Sequence, residues 1–325
     1  MKPGKQVSRI EKGESASGGS LAPIAIFAYN RPDHLRKTLD SLSENSEARQ
    51  SNITIFCDGA KGVDDVWATE ETRNVAMLAR GFGSVTVVSR PVNLGLERSI
   101  TSGISEILRN FDRVIVFEDD LVTSKYCLNY LNRALDQYAG ESAVAAIGCY
   151  VFPVAAELPE SFFLRVMDCF GWGTWRNRWE SYETDPQVLL DEIELDGRSA
   201  EFDLEGAYPY TSMLRDCVKN KNASWAVRWY ASQFLKGRLC LYPGKSMTKN
   251  IGMDGTGVHS GHTRAYEVDL AASPVISFPD AVEENQAAAM ATAEYLRAIV
   301  ADNERLLPRI FRRLIRFRKK TMQVA

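Results

Sequence analysis

The six cysteines, at positions 57, 127, 149, 169, 217 and 240, include no CxxC pair and no metal-finger spacing. Several lie in apolar runs, where a thiol acts as a small hydrophobe, and this usage points to a reduced, cytosolic compartment. No apolar run reaches the roughly 20 residues that a bilayer-crossing helix needs, because the longest, residues 143–156, is broken by Gly148 and Pro153. No apolar h-region follows the start, which argues against a secretory signal; residues 1–20, polar and rich in Gly and Ser, read as a disordered leader. With 39 basic and 42 acidic residues the formal charge is −3, too acidic for a protein that coats nucleic acid. No GxGxxG follows the first apolar run, which argues against a dinucleotide-dependent oxidoreductase. No internal repeat is evident.

What is present is the balance of a soluble globular protein, with 45% hydrophobic and 25% charged residues over 325 positions, enough for one large domain or two modest ones. From residue 21 to about 150, short runs rich in Val, Ile and Phe alternate with longer amphipathic segments. That alternation predicts βαβ units on a mostly parallel sheet flanked by helices, an α/β fold. Strands are expected at residues 23–27, 53–57, 85–89, 114–117 and 144–147. The first helix is expected to begin at Arg31-Pro32 and to bury Leu35, Leu39 and Leu42.

Polar clusters follow these strands: Tyr29-Asn30-Arg31, Asp58-Gly59, residues 90–95, and Glu118-Asp119-Asp120. The carboxyl ends of strands in an open parallel sheet form one rim where ligands bind, so four segments are predicted to converge there. Each cluster alone also fits a plain turn. Three consecutive acids after an apolar strand repel one another unless a cation is near, and hard carboxylate oxygens suit Mg2+ or Mn2+ carrying a diphosphate. A solvated acidic turn is the alternative.

Residues 151–260 hold five of the six tryptophans: Trp172, Trp175, Trp179, Trp225 and Trp229. Trp225 and Trp229 share a face if helical. These rings form either part of a core or an aromatic wall for sugar rings.

The order IAIFAYNRPDHLRKTLDSL, IFCDGA, RPVNLGLERSI, VIVFEDDL, FGWGTW and NIGMDGTGVH resembles the GT-A nucleotide-sugar glycosyltransferases. It is similar to bacterial enzymes of surface-polysaccharide pathways and, more distantly, to the N-acetylglucosaminyltransferase that begins complex N-glycans. The resemblance spans residues 21 to about 260. It implies a GT-A fold with a nucleotide-sugar-binding half at residues 21–150, an acceptor-binding half at 151–260 and a C-terminal helical tail at 261–325. It further implies that Ala28, Asn30 and Arg31 lie near uridine and phosphate, that Asp58 contacts the uracil, and that residues 93–98, including Asn93 and Arg98, lie beside the nucleotide. Asp120 would ligate Mn2+, with Glu118 and Asp119 reaching donor sugar and ribose. The loop Gly171-Trp172-Gly173 would flank the donor sugar, with Trp225 in the same aromatic region, and His259 would add a metal ligand.

The eukaryotic inverting relative carries an acid next to a tryptophan as catalytic base, whereas the comparable segment here reads SWAVRW from Ser224 to Trp229. An inverting reaction then needs another carboxylate, and Asp168 and Asp254 are the candidates, with Glu118 for electrostatic stabilisation. The Gly-rich run at residues 250–257 is expected to close over the donor. Residues 309–320 (RIFRRLIRFRKK), from Arg309 to Lys320, hold seven basic residues and no acid. They read as a basic amphipathic helix at an anionic membrane surface, on the cytoplasmic side, with docking on the protein's own acidic surface as the alternative. The expected activity is metal-dependent transfer from a UDP-sugar to a glycan or lipid-linked saccharide. A non-catalytic sugar-nucleotide or glycan-binding protein and a metal-dependent nucleotidyltransferase or nucleotide-sugar hydrolase are the alternatives.

Overall fold

The computed structural model describes residues 20–255 and 263–302. The first four strands, β1 (Ile24–Ala28), β2 (Asn52–Cys57), β3 (Ser84–Ser89) and β4 (Arg113–Glu118), fall within a residue of the predicted runs. Helices α1 (Pro32–Ser43), α2 (Val66–Met77) and α3 (Leu96–Leu108) follow β1, β2 and β3 in turn. A short β5 (Leu121–Thr123) leads into α4 (Cys127–Gln137) and β6 (Val144–Gly148). The second half adds β7 (Ser161–Leu164), β8 (Trp172–Trp175), α5 (Arg176–Trp179), α6 (Pro186–Leu195), α7 (Ser199–Phe202), α8 (Tyr210–Val218), α9 (Trp225–Leu235), β9 (Leu239–Pro243) and β10 (Thr248–Asn250). Residues 286–302 form a further helix, α10.

Eight strands make one sheet in the order β3-β2-β1-β4-β8-β6-β9-β7, with β10 and β5 paired separately. Strands β1 to β4 are parallel, β8 runs against both β4 and β6, β9 is parallel to β6, and β7 is antiparallel to β9. The sheet is therefore mostly parallel and takes strands from both sides of residue 150. Two-residue alternation sorts the side chains onto its faces. Ile24 and Ile26 of β1 face a core shared with Leu35 and Leu39 of α1 and Leu131 of α4, while Ala25 and Phe27 face a second core with Ile100 and Ile104 of α3. Burial on both faces is why β1 reads as a continuous apolar run.

Proline at the first position of α1 starts that helix as expected, and Leu35, Leu39 and Leu42 are buried. The expected loop at Gly171 to Gly173 is instead the entry to β8, a central strand. Trp172 is 1% exposed and Trp225 3% exposed, both inside the second core. Trp172 meets Trp225 and Trp229 with ring centroids 5.6 Å apart, and Trp179 stands 5.2 Å from Trp229. The rings cover one another because α9, with its tryptophans four apart, packs on the face of β8 that carries Trp172. These residues build a core rather than the wall of a cleft, correcting the expectation for Trp172 and Trp225.

Candidate active site

The rim at the carboxyl ends of β1, β2, β3 and β4 collects the polar clusters. Backbone pairing continues past the strands, from Asp58 N–H to the Ala28 carbonyl at 2.9 Å and from Arg90 N–H to the Cys57 carbonyl at 2.8 Å. The loops are thereby held in the strand register. Asp58, 4% exposed, accepts from Gly59 N–H at 2.9 Å, from Leu94 N–H at 2.9 and 3.1 Å and from Gly95 N–H at 3.0 Å. Asn93 donates to the Gly59 carbonyl at 2.8 Å, and a Cβ at Gly59 would lie 2.3 Å from the Val92 carbonyl carbon, so only glycine fits this crossing. Asp58 and Asn93 thus brace the loops after β2 and β3 against each other.

At the end of β4, Arg31 Nη2 lies 2.6 Å from Asp119 Oδ1 and 2.9 Å from Asp120 Oδ2. Tyr29 N–H donates to Asp119 Oδ2 at 3.2 Å, and the Thr38 hydroxyl donates to the Asp119 carbonyl at 2.8 Å. Burial first, then repulsion from Asp120 and Asp119, pushes Glu118 up to about 8. Burial lifts Asp119 to about 6 against the opposing pull of Arg31. Burial works against the Arg31 charge, yet Asp119 and Asp120 hold its guanidinium above the ordinary range. Among the described residues one cation, Arg31, is paired with this cluster of three carboxylates, through Asp119 and Asp120.

The pair β10–β5 brings the later Gly-rich segment onto this cluster. Ile251 N–H donates to the Asp120 carbonyl at 2.8 Å, Asn250 accepts from Gly252 N–H at 2.7 Å, and the Gly252 backbone abuts Asp120 and Arg31. Asp254 Oδ2 stands 3.3 Å from His34 Nε2 on α1. His259 and residues 256–257 lie outside the described residues, as do residues 309–320.

Asp168 accepts from Phe170 N–H at 3.0 Å, while its own N–H donates to the Tyr242 hydroxyl at 3.1 Å. It lines a narrow pocket with Tyr150, Tyr210 and Tyr242, and burial pushes its carboxyl up to about 7. Burial first, and then the charges of Glu118, Asp168 and Asp120, push the Cys169 thiol up. Arg98 lies on α3, exposed, beyond the braced loop.

Asp65 escaped the sequence reading. It accepts from the Tyr29 hydroxyl at 2.6 Å and from Asn30 Nδ2 at 3.1 Å, fixing the loop after β1. Nothing local marked it, since its partners are 35 and 36 positions away. At α9, where the base was sought, Ser224 caps the helix and Arg228 Nη2 stands 2.6 Å from Glu97 of α3, so that face presents a cation.

Among the described residues no group of three or more His, Cys, Asp or Glu side chains is arranged to hold a metal by itself. Magnesium-type ions that carry a diphosphate need only one or two carboxylates, and the uncompensated acid of residues 118–120 meets that lesser demand.

The chain belongs to the glycosyltransferase-like family 2, whose model matches residues 22–185, half of the sequence. That membership makes it a glycosyltransferase. Solved structures similar to it include the mannosyltransferase of Pyrobaculum calidifontis in complex with GDP-mannose and Mn2+, at 14% identity and TM-score 0.38, covering 67% of this chain and 73% of that one. Another is glucosyl-3-phosphoglycerate synthase of Mycobacterium tuberculosis with Mn2+, UDP and glucosyl-3-phosphoglycerate, at 14% identity and TM-score 0.34, covering 55% and 68%. No curated protein matches the sequence. No helix of the described residues is long and apolar enough to cross a membrane.

Proposed function

We propose that this glycosyltransferase moves a sugar from a UDP-sugar to a hydroxyl of a glycan or lipid-linked saccharide, with Mg2+ or Mn2+ held at Asp120. The observation that carries the reading is the charge imbalance at the end of β4, where among the described residues Arg31 is the one cation paired with the cluster Glu118, Asp119 and Asp120. Such a crevice favours a hard cation brought in with a diphosphate. When bound, the ion supplies Lewis-acid stabilisation of the leaving diphosphate.

The chain's own groups supply the rest. Ala28 and Asn30, fixed through Asp65 and the Ala28 carbonyl, border the nucleotide, and the brace of Asp58 and Asn93 shapes the far side of its site. Arg31 shares the charge that develops on the departing phosphate oxygen, and Glu118, which a bound cation would ionise, offsets the positive charge that grows at the anomeric carbon. Asp168 serves as base, because its carboxyl near 7 suits proton acceptance at neutral pH. It takes the proton of the acceptor hydroxyl as the new O–C1 bond forms. The C1–O bond to phosphate breaks, its electron pair leaves with the nucleoside diphosphate, and the configuration inverts. Asp254 is the weaker candidate, since its carboxylate is engaged by His34. Residues 309–320 hold the protein against anionic lipid on the cytoplasmic face, drawn by about 1 kcal/mol per basic residue near the surface.

Product analysis tests the reaction. Incubation with UDP-sugars and saccharide acceptors is expected to yield intact UDP and an extended glycan, with turnover abolished in Asp168→Asn at saturating donor. A sugar phosphate product would instead identify cleavage within the diphosphate. Removing residues 309–325 is expected to release the protein from anionic vesicles, and unchanged vesicle flotation would remove the membrane role.

A further inference from the structure

A cavity of about 830 Å3 lies along the outer side of α3, and none of residues 118–120 lines it. Four arginines border it, Arg90, Arg98, Arg109 and Arg176, against one acid, Glu180. Arg90 pairs with Glu106 at 3.2 Å and Arg176 with Asp112 at 3.0 Å. Arg98 and Arg109 are exposed and have no ion-pair partner among the described residues. Between them on the same helical face stand the hydroxyls of Thr101, Ser102 and Ser105, at offsets of three, four and seven from Arg98. Across the groove Tyr182 stacks on Trp179 with centroids 4.9 Å apart.

Two residues of this lining each bury one polar atom, Arg90 Nε and the Tyr182 hydroxyl, without a hydrogen-bond partner among the described residues. The groove has a direction. Leu94, whose N–H is held by Asp58, lines its upper end, and eleven residues of helix from Arg98 to Arg109 carry it roughly 16 Å away from the rim.

We propose that this groove binds an anionic stretch of the acceptor, a saccharide chain bearing carboxylate or phosphodiester groups, and leads its end to the donor rim. The inference rests on the glycosyl-transfer reading above. Guanidinium forks match carboxylate and phosphate oxygens, serine and threonine hydroxyls meet sugar hydroxyls, and the half-buried Tyr182 offers an apolar edge to a sugar ring.

Calorimetric titration of the full chain with tetragalacturonate, short poly(glycerol phosphate), maltotetraose and a single-stranded oligonucleotide of matched charge tests it. One or both anionic saccharides are expected to bind, more weakly as salt rises, and the preferred one identifies the source of the charge. Maltotetraose is expected not to bind measurably. Arg109→Glu, at an exposed position, is expected to fold and to lower the anionic saccharide affinity at least about tenfold, with Arg109→Gln between it and the parent. UDP binding is expected to stay unchanged in both variants. Equal affinity in Arg109→Glu, binding of neither anionic saccharide, or an equally tight oligonucleotide would overturn the proposal. Failure of the parent to bind UDP would count against the donor site alone, because saccharide binding is read without donor.

Discussion

Gly252 packs so closely against Asp120 that a Cβ added to it would stand 2.1 Å from Asp120 Oδ2. The same atom would lie 2.7 Å from Arg31 Nη1, so neither neighbour leaves room. A segment more than 130 residues downstream of the acidic cluster thereby sets the position of its last carboxylate. Gly252→Ala is expected to displace that carboxylate or the segment and to weaken metal-dependent UDP binding at least about tenfold, a difference of roughly 1.4 kcal/mol. Thermal stability is expected to change little, because the clash is confined to the rim. Titration and a melting curve of the same sample check both, and unchanged UDP affinity would show that Asp120 need not stand where it does.

The acidic cluster also predicts the pH response of the ligand-free protein. Glu118 rises from an ordinary 4.5 to about 8 and Asp119 from 3.8 to about 6, so the fold favours their protonated forms. Stability from these groups is fully present below their unfolded values and is lost as pH rises through about 6 and then about 8. The melting temperature is expected to fall from pH 5 to pH 8, and less steeply in Glu118→Gln, which cannot ionise. Parallel melting series of the two proteins measure this difference, and identical slopes would contradict it.

Asp58 carries a separable, structural load. Its buried carboxylate takes the N–H groups of Gly59, Leu94 and Gly95. Asp58→Ala leaves these donors unpaired and is expected to cost about 3 kcal/mol. Urea denaturation measures that loss. The nucleotide affinity is expected to fall with it, because the proposed nucleotide site lies against the braced loops after β2 and β3.

Much of this rim was legible in the sequence because its parts are local. A parallel strand buried on both faces reads as an apolar run, and the residue that follows it must turn, so Asp58 and residues 118–120 announced themselves. The pairing of Arg31 with Asp119 did not, since 88 positions separate them and only the packing of β1 beside β4 joins them. Strand β8 was missed for a different reason. Four residues, WGTW, are too short to show a period, and the tryptophans drew attention as sugar-stacking surfaces. Composition counts aromatic rings without saying which faces are covered, and only α9 lying over β8 decides that. The strands Ser161–Leu164 and Leu239–Pro243 were hidden by the same brevity.

The tryptophan cluster makes its own prediction. Trp229 is 2% exposed, and its indole N–H has no hydrogen-bond partner in the structure. Replacement by phenylalanine keeps most of the ring contact and forfeits no hydrogen bond, so Trp229→Phe is expected to cost about 1 kcal/mol. Trp229→Ala leaves a cavity against Trp172 and Trp179 and is expected to cost about 3–5 kcal/mol. Denaturant unfolding of both variants gives the comparison. A phenylalanine variant as unstable as the alanine variant would show that the indole N–H, rather than ring packing, holds the site.

The central claim is that the carboxylates at the end of β4 hold a cation that brings a nucleoside diphosphate to the rim. Calorimetric titration with UDP, with and without Mn2+, in the parent and in Asp120→Asn, tests it most directly. The account predicts UDP binding that requires Mn2+ and disappears in the variant, with GDP and ADP weaker. Absence of binding by any nucleoside diphosphate, or Mn2+-dependent binding that survives in Asp120→Asn, would contradict it.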